Sequence, residues 1–426
     1  MRHVVSTVLG KSVRSLALLR GGGSALPGLF IEKIDPGFTK RTLKTLPQGI
    51  VVISGTNGKT TTTKMVVELL EGQGLRVFTN RTGSNFVRGV AAALLAEVDR
   101  RGKLHADIAV LELDEAHAVL FVKTIAPRYT LLLNVMRDQL DRFGEIDATA
   151  ALLQQIAEHT TKAVVINRDD PHLASPNFLA RVKAPVSTYG VSAPLLAQFP
   201  SDDHLNQAAT TPQTTLRAHD DVELQQLNNQ TAMFSLHGTT HTTQLGVKGI
   251  YNVLNAVGAV ALTQVIMGKN LNTTAMLQSL RAVTPAFGRG ETVTINGQPC
   301  DIVLVKNPAG FRLSLQSFLP EGYATMIAIN DDYADGRDMS WLWDVNFESL
   351  RTAGVAEVCG VRAYDMALRL QYDEIPTAHV MPSIPSALRH FVTTNQGTPL
   401  RIYCSYTAML AIRRELAHYT KLKAVR

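Results

Sequence analysis

Apolar residues along this chain fall into two alternating rhythms, and the switches between them mark its elements. Ile50 to Ile53 is a short unbroken apolar run, the pattern of a strand buried on both faces. Met65, Val66, Leu69 and Leu70 then recur at helical spacing, and Gly74 closes that helix before a second strand at Leu75 to Thr79. Ile108 to Leu113, Tyr129 to Asn134 and Ala163 to Asn167 read as further buried strands. Strands separated by helices predict an α/β fold built on a parallel sheet.

Residues 171–245 break the rhythm, being rich in Ser, Thr, Gln and Asn with short apolar runs. Loops and a few antiparallel strands are expected there. Helical patterning returns from Asn252 to Met267, and a second alternation starts near Ile302. It includes Thr325 to Asn330, Ala356 to Val361 and Leu400 to Ser405. The expected organisation is an entry segment over 1–45, a central domain over 46–287 and a smaller C-terminal α/β domain over 288–426. The entry segment is expected to form a helix to Leu19, then a turn through Gly21-Gly22-Gly23 and Pro27-Gly28.

Composition narrows the function. At 426 residues the chain exceeds one ordinary core, and 45% hydrophobic with 18% charged residues is globular composition. The net charge of +6 comes without a dense run of Lys or Arg interleaved with aromatics, which argues against nucleic acid as a partner. Anionic small substrates or a membrane face suit such a charge. Three cysteines, none at metal-ligand spacing from another, exclude a disulfide scaffold and point to a reducing, cytosolic compartment. Arg2, Lys11, Arg14 and Arg20 interrupt the N-terminal apolar residues, unlike a signal peptide. No stretch approaches the roughly 18 apolar residues of a membrane span.

The strongest chemical signal is Gly55-Thr56-Asn57-Gly58-Lys59-Thr60, with Thr61 next, set between a predicted strand and a predicted helix. Small residues there let backbone N–H groups approach phosphates, and the helix N-terminus adds positive potential. Lys59 can reach the outer phosphates of ATP, and Thr60 offers a hydroxyl to Mg²⁺. Glu112 ends a predicted strand and so lies at the carboxyl rim of the sheet, where a hard cation seeks a carboxylate. Asp114 and Glu115 follow it and read equally well as solvated loop residues. Asn252 and Asn255, three apart, share a helix face that can read a base edge, although Asn at a helix start also serves as a cap.

The short loop form, with two residues between its glycines, resembles that of Mur ligases and folylpolyglutamate synthetases. In Mur ligases a Glu matching Glu112 binds the metal, the Gly249 to Asn255 segment meets adenine, and an Arg like Arg289 in Gly288-Arg289-Gly290-Glu291 approaches the nucleotide. Several segments resemble the MurT family in particular. These are Arg137 to Arg142, with Gln139 where amino-acid-adding relatives carry a metal-binding His, and Lys306-Asn307-Pro308-Ala309-Gly310. The acidic run Asn330 to Asp344, with five carboxylates and both tryptophans, belongs here with Gly360 to Ala363 and Tyr406 to Met409. Such a run is usually a solvated loop, but tryptophans beside it favour a cleft or a partner surface.

That resemblance implies an ATP- and Mg²⁺-dependent ligase. It amidates the α-carboxylate of D-isoglutamate in the peptidoglycan stem peptide of lipid II, through an acyl phosphate. It also implies a cytoplasmic enzyme acting at the inner face of the membrane, which it meets only through the lipid-linked substrate. Ammonia would come from a separate glutaminase subunit of the GatD type, because no cysteine here sits on a nucleophile turn. In the family an aspartate of the C-terminal domain completes the glutaminase's Cys–His pair; Asp344 is favoured, with Asp335 and Asp338 as alternatives. Many relatives insert a four-cysteine zinc ribbon, and residues 171–245 contain no cysteine, so zinc is not expected. The competing readings are an amino-acid-adding Mur ligase, a folylpolyglutamate synthetase-like ligase, and a P-loop NTPase that ligates nothing.

Overall fold

The computed structural model describes residues 2–19, 25–80, 86–136, 146–199, 222–247, 249–284 and 289–420. The chain divides into two units, one formed by 1–135, 147–246 and 252–283, the other by 136–146, 247–251 and 284–426. The Arg137 to Arg142 segment lies outside the described residues.

The first unit opens with helices α1 (Arg2–Leu19), α2 (Ala25–Ile34) and α3 (Phe38–Lys44). Pro27 and Gly28, expected in a turn, lie in α2, because a proline in the first helical turn gives up no intrahelical hydrogen bond. Strands β1 (Ile50–Ser54), β2 (Val77–Thr79), β3 (Ile108–Glu112), β4 (Tyr129–Leu132), β5 (Ala163–Asn167) and β6 (Val186–Val191) alternate with helices. Among these are α4 (Lys59–Gly72), α5 (Val87–Glu97), α6 (Glu115–Thr124), α7 (Ile146–Glu158) and the single turn α8 (Pro176–Leu179). Strands β7 (Val222–Asn228), β8 (Thr231–Leu236) and β9 (Thr239–Gln244) complete a sheet ordered β2-β3-β1-β4-β5-β6-β7-β8-β9.

Pairing is parallel from β2 to β7 and antiparallel from β7 to β9. The polar stretch therefore extends the parallel pairing through β6 and β7 before the expected antiparallel pairing of β7, β8 and β9. Every residue of β1, β3, β4 and β5 is buried, as continuous apolar strands of a parallel sheet should be.

Helices α9 (Ile250–Met267) and α10 (Thr273–Ala282) follow. Contrary to the sequence expectation, Ile250–Asn270 is long and apolar enough to cross a membrane, yet 67% of its most apolar 18-residue window is buried inside the protein. Its apolar residues serve a core helix: Val253, Val257, Val260 and Leu262 are all buried.

In the second unit, strands β10 (Arg289–Ile295), β11 (Gln298–Leu304), β12 (Ala324–Ala328), β13 (Val355–Cys359), β14 (Thr377–Met381) and β15 (Leu400–Cys404) form a sheet ordered β10-β11-β15-β12-β13-β14. Only β10 runs antiparallel, paired to β11. Helices α11 (Pro308–Ser317), α12 (Ala363–Tyr372), α13 (Ile384–Thr394) and α14 (Tyr406–Leu416) cover this sheet. One core cluster joins Cys300, Ile302, Phe391 and Met409, and a second joins Phe311, Trp341, Phe347 and Tyr403. Both units are α/β, the class expected.

Candidate active site

Strand order explains where the chemistry gathers in the first unit. β1 lies between β3 and β4, so the chain turns outward on both sides of it, a switch point at which open α/β sheets bind ligands. The loop after β1 consequently has Glu112 at the end of one neighbour and Asn134 just beyond the other. Gly55 and Gly58 hold φ of 132° and 90°. At Gly58 a Cβ would lie 2.6 Å from the Asn255 carboxamide, so only glycine fits that approach.

Asn134 braces the loop. Its carbonyl accepts from Thr56 N at 3.1 Å, its Oδ1 accepts from Asn57 N at 2.9 Å, and its Nδ2 donates to Asn57 O at 3.1 Å. Asn80 braces Glu112 in the same way, with Nδ2 donating to Glu112 O and Oδ1 accepting from Glu112 N at 3.0 Å. Sequence reasoning gave neither asparagine a role. The available signal was position alone: each follows a strand at the rim shared with the loop.

Thr60 Oγ1 donates to Glu112 Oε1 at 2.8 Å, so the structure brings this hydroxyl and carboxylate together. Both are hard oxygen donors beside the loop, and this donor set suits Mg²⁺. Lys59 Nζ donates to Gly55 O at 2.6 Å and pairs with Glu115 Oε1 at 3.0 Å. Glu115 is therefore not a solvated loop residue: it opens α6 with its side chain only 3% exposed. Burial pushes its pKa up, while the Lys59 ammonium pulls it down and Asp114 adds to the rise. Thr61 is buried in the first turn of α4. Asn255 is buried against Gly58, and Asn252 stands half-buried three residues earlier on α9. Arg289 opens β10 opposite Val303, and its side chain lies outside the described residues.

In the second unit the acidic run, Gly360 to Ala363 and Tyr406 to Met409 converge at the carboxyl ends of β12, β13 and β15. Asn330 ties them together. Its N donates to Ser405 Oγ at 2.9 Å, its Nδ2 donates to Thr407 Oγ1 at 3.1 Å, and its Oδ1 accepts from Val361 N at 3.0 Å. Arg362 closes the set on Asp331 at 2.7 Å.

The three candidate aspartates have different surroundings. Asp335 is buried and accepts from Thr407 N at 2.8 Å, at the N-terminus of α14, and burial raises its pKa. Asp338 accepts from Ser340 N at 2.9 Å in a local turn. Asp344 is half-buried after Trp343, and its main-chain carbonyl accepts from Arg312 Nε at 2.7 Å.

The tryptophans divide too. Trp341 packs near Phe311 in the core, so no surface role attaches to it. Trp343 is 49% exposed, edge-on to Tyr372 at 5.5 Å and over the Arg369 guanidinium at 5.4 Å. Cys300, Cys359 and Cys404 are all buried, with thiol pKa values pushed up mainly by desolvation.

Residues 53–263 match the family model of the Mur ligase middle domain, and residues 304–409 match that of the MurT ligase C-terminal domain. MurF from Thermotoga maritima, solved in complex with ADP, shares the fold with a TM-score of 0.64 at 16% identity, covering 92% of this chain and 84% of its own. A Mur ligase is thus the class to which the middle-domain match, on this fold, points. The lipid II isoglutaminyl synthase subunit MurT of Streptococcus pneumoniae is 30% identical over 98% of this chain and 97% of its own length. The Staphylococcus aureus subunit of the same name is 27% identical, over 88% of this chain and 89% of its own. The chain belongs to the MurT family.

Proposed function

We propose that this protein is the synthetase subunit of a glutamine-hydrolysing lipid II isoglutaminyl synthase, working in the cytoplasm at the inner membrane face. The observation that carries the reading is the end-to-end similarity to the Streptococcus pneumoniae subunit of that name. The site is consistent with it. A carboxylate is a poor electrophile until one oxygen becomes part of a phosphate leaving group. The γ-phosphoryl group of ATP passes to the α-carboxylate of D-isoglutamate and ADP leaves. Ammonia then attacks the acyl carbon, phosphate departs, and D-isoglutamine remains.

Loop N–H groups from Gly55 to Thr60 orient the phosphates, and Lys59 matches charge on the oxygens that become more negative. Thr60 and Glu112 would hold Mg²⁺, which supplies further charge neutralisation at the phosphates. Asn252, Asn255 and Arg289 are assigned to the nucleotide on the family pattern.

Ammonia comes from a separate GatD-like glutaminase. Two observations support this: all three cysteines are buried, and α12 carries an exposed apolar face. Tyr364, Leu368 and Tyr372 recur four residues apart there, with Trp343 and Val361 also exposed. Asp344 is assigned to complete the glutaminase's Cys–His pair, fixing the imidazole's tautomer and stabilising its charged form. Of the three aspartates it is the one that directly follows the exposed Trp343, and it is half-buried there.

Co-expression with a candidate glutaminase, followed by mass spectrometry of lipid II, tests the reading. Glutamine- and ATP-dependent conversion of the carboxyl to an amide is expected. Addition of an amino acid in its place would overturn it.

A further inference from the structure

Helix α1 is built inside out. A helix lying on a globular unit ordinarily turns its apolar stripe inward. Among the described side chains of α1 the buried ones are Ser6, Thr7, Gly10 and Ala17. Ser6 Oγ donates to Asp35 Oδ2 at 2.8 Å, and a Cβ at Gly10 would lie 2.8 Å from Leu95 of α5. The close approach of α1 to α5 thus takes small side chains. Val4, Val5, Val8, Leu9, Leu16 and Leu19 are instead all exposed, Val5 at 56% and Leu19 at 83%. At 3.6 residues per turn they fall within an arc of roughly 140°. Leu26 of α2 is exposed as well.

Charge distribution says what covers this face. Residues 1–45 hold eight Lys and Arg (Arg2, Lys11, Arg14, Arg20, Lys33, Lys40, Arg41, Lys44) against Glu32 and Asp35, an excess of six. The whole chain has 42 against 36, the same excess of six, so the other residues together are neutral. Charge that looks thinly spread in the overall composition is concentrated at one end. Helix α1 contains no acidic residue, and Lys11 borders its apolar arc. The exposed Arg100, Arg101 and Lys103 lie beside it, in a turn whose Gly102 approaches Thr7. An apolar helix face rimmed by cations, on a chain with such charge asymmetry, is complementary to the headgroup layer of an anionic bilayer.

We propose that the outer face of α1 docks on an anionic phospholipid surface, lying in the interface rather than spanning it. The membrane would then be met by the protein as well as through its substrate. This inference deepens the proposed function, since a lipid-linked substrate is presented only at such a surface.

The test uses the full chain with its glutaminase partner, and vesicles of phosphatidylglycerol and phosphatidylethanolamine against vesicles of phosphatidylcholine alone. Flotation with the anionic vesicles, weakened by salt, is expected. The Val5→Glu/Leu9→Glu variant should lose about tenfold or more of the bound fraction with its melting temperature unchanged, because both side chains already face out. Absence of wild-type flotation would overturn the proposal, as would equal flotation of the variant. So would a wild-type self-association that the variant abolishes, since a second copy would then cover the face. The vesicles contain neither ATP nor precursor, so failure here leaves the amidation reading untouched, and failure of amidation leaves this result standing.

Discussion

Two rims of this molecule invite comparison, each at the carboxyl ends of parallel strands. At the β1 rim, residue spacing sets the geometry: two glycines, Lys59 and Thr60 follow one another in the loop, and Asn134 and Glu112 close on it from neighbouring strands. At the β12 rim, the sequence favours Asp344 over Asp335 and Asp338, and packing gives the three different surroundings. One is locked to α14, one sits in a local turn, and one is presented beside an exposed tryptophan. Where backbone conformation carries the chemistry, a motif is enough. Where a carboxylate would carry it, tertiary contacts give each candidate a different setting.

The largest effect should come from the first rim. Lys59→Ala is expected to lower amidation about a thousandfold with either glutamine or ammonia as nitrogen donor. Because Glu115 would be left buried without its cation, the same variant should lose about 3 kcal/mol of stability in thermal melts. Adding Glu115→Gln should restore the melting temperature and leave turnover absent. Recovery of both together would mean that Lys59 serves the fold alone.

At the second rim, Asp344→Asn should lower glutamine-dependent amidation about a hundredfold or more, with turnover on free ammonia and binding of the glutaminase preserved. If ammonia fails to rescue, the residue belongs to the synthetase reaction and the two rims are not divided as described. A smaller change follows from Thr60→Val, which keeps shape and removes the hydroxyl. The Mg²⁺ concentration giving half-maximal rate should rise about tenfold, read by metal titration after chelation. An unchanged titration would leave Glu112 without a hydroxyl partner in metal binding. Smallest in turnover is Asp335→Asn, expected to cost about 1–2 kcal/mol through the weakened bond to α14 and to leave both nitrogen donors in use. Normal stability with lost glutamine turnover would exchange the assignments of Asp335 and Asp344.

Much of the fold was legible because a parallel sheet writes itself as unbroken apolar runs. β1, β3 and β5 stood out for that reason, and Thr60 with Glu112 followed from the ends of those runs. Strand order was not legible, and with it went the asparagines: an amide after a strand says nothing until β3 and β4 are known to flank β1. Glu115 was left undecided for a related reason, since a carboxylate just past a strand can face water or a buried lysine. The partly exposed strand β14 lacked an apolar run. Helical periodicity in α1 also left open which face turns inward, because period alone has no sign.

The Lys59–Glu115 pair has a consequence for competition. The ammonium that meets phosphate in the proposed reaction already has an internal anion at 3.0 Å and a carbonyl at 2.6 Å. Any incoming anion must therefore outbid a carboxylate that is tethered in place and needs no binding entropy. Lone sulfate or phosphate ions are poor rivals on those terms. A polyphosphate that also engages the loop N–H groups and the Thr60–Glu112 pair is a strong one. In the proposed reaction, discrimination between a nucleotide and the abundant small anions of a cell would thus begin in a salt bridge that the protein makes with itself.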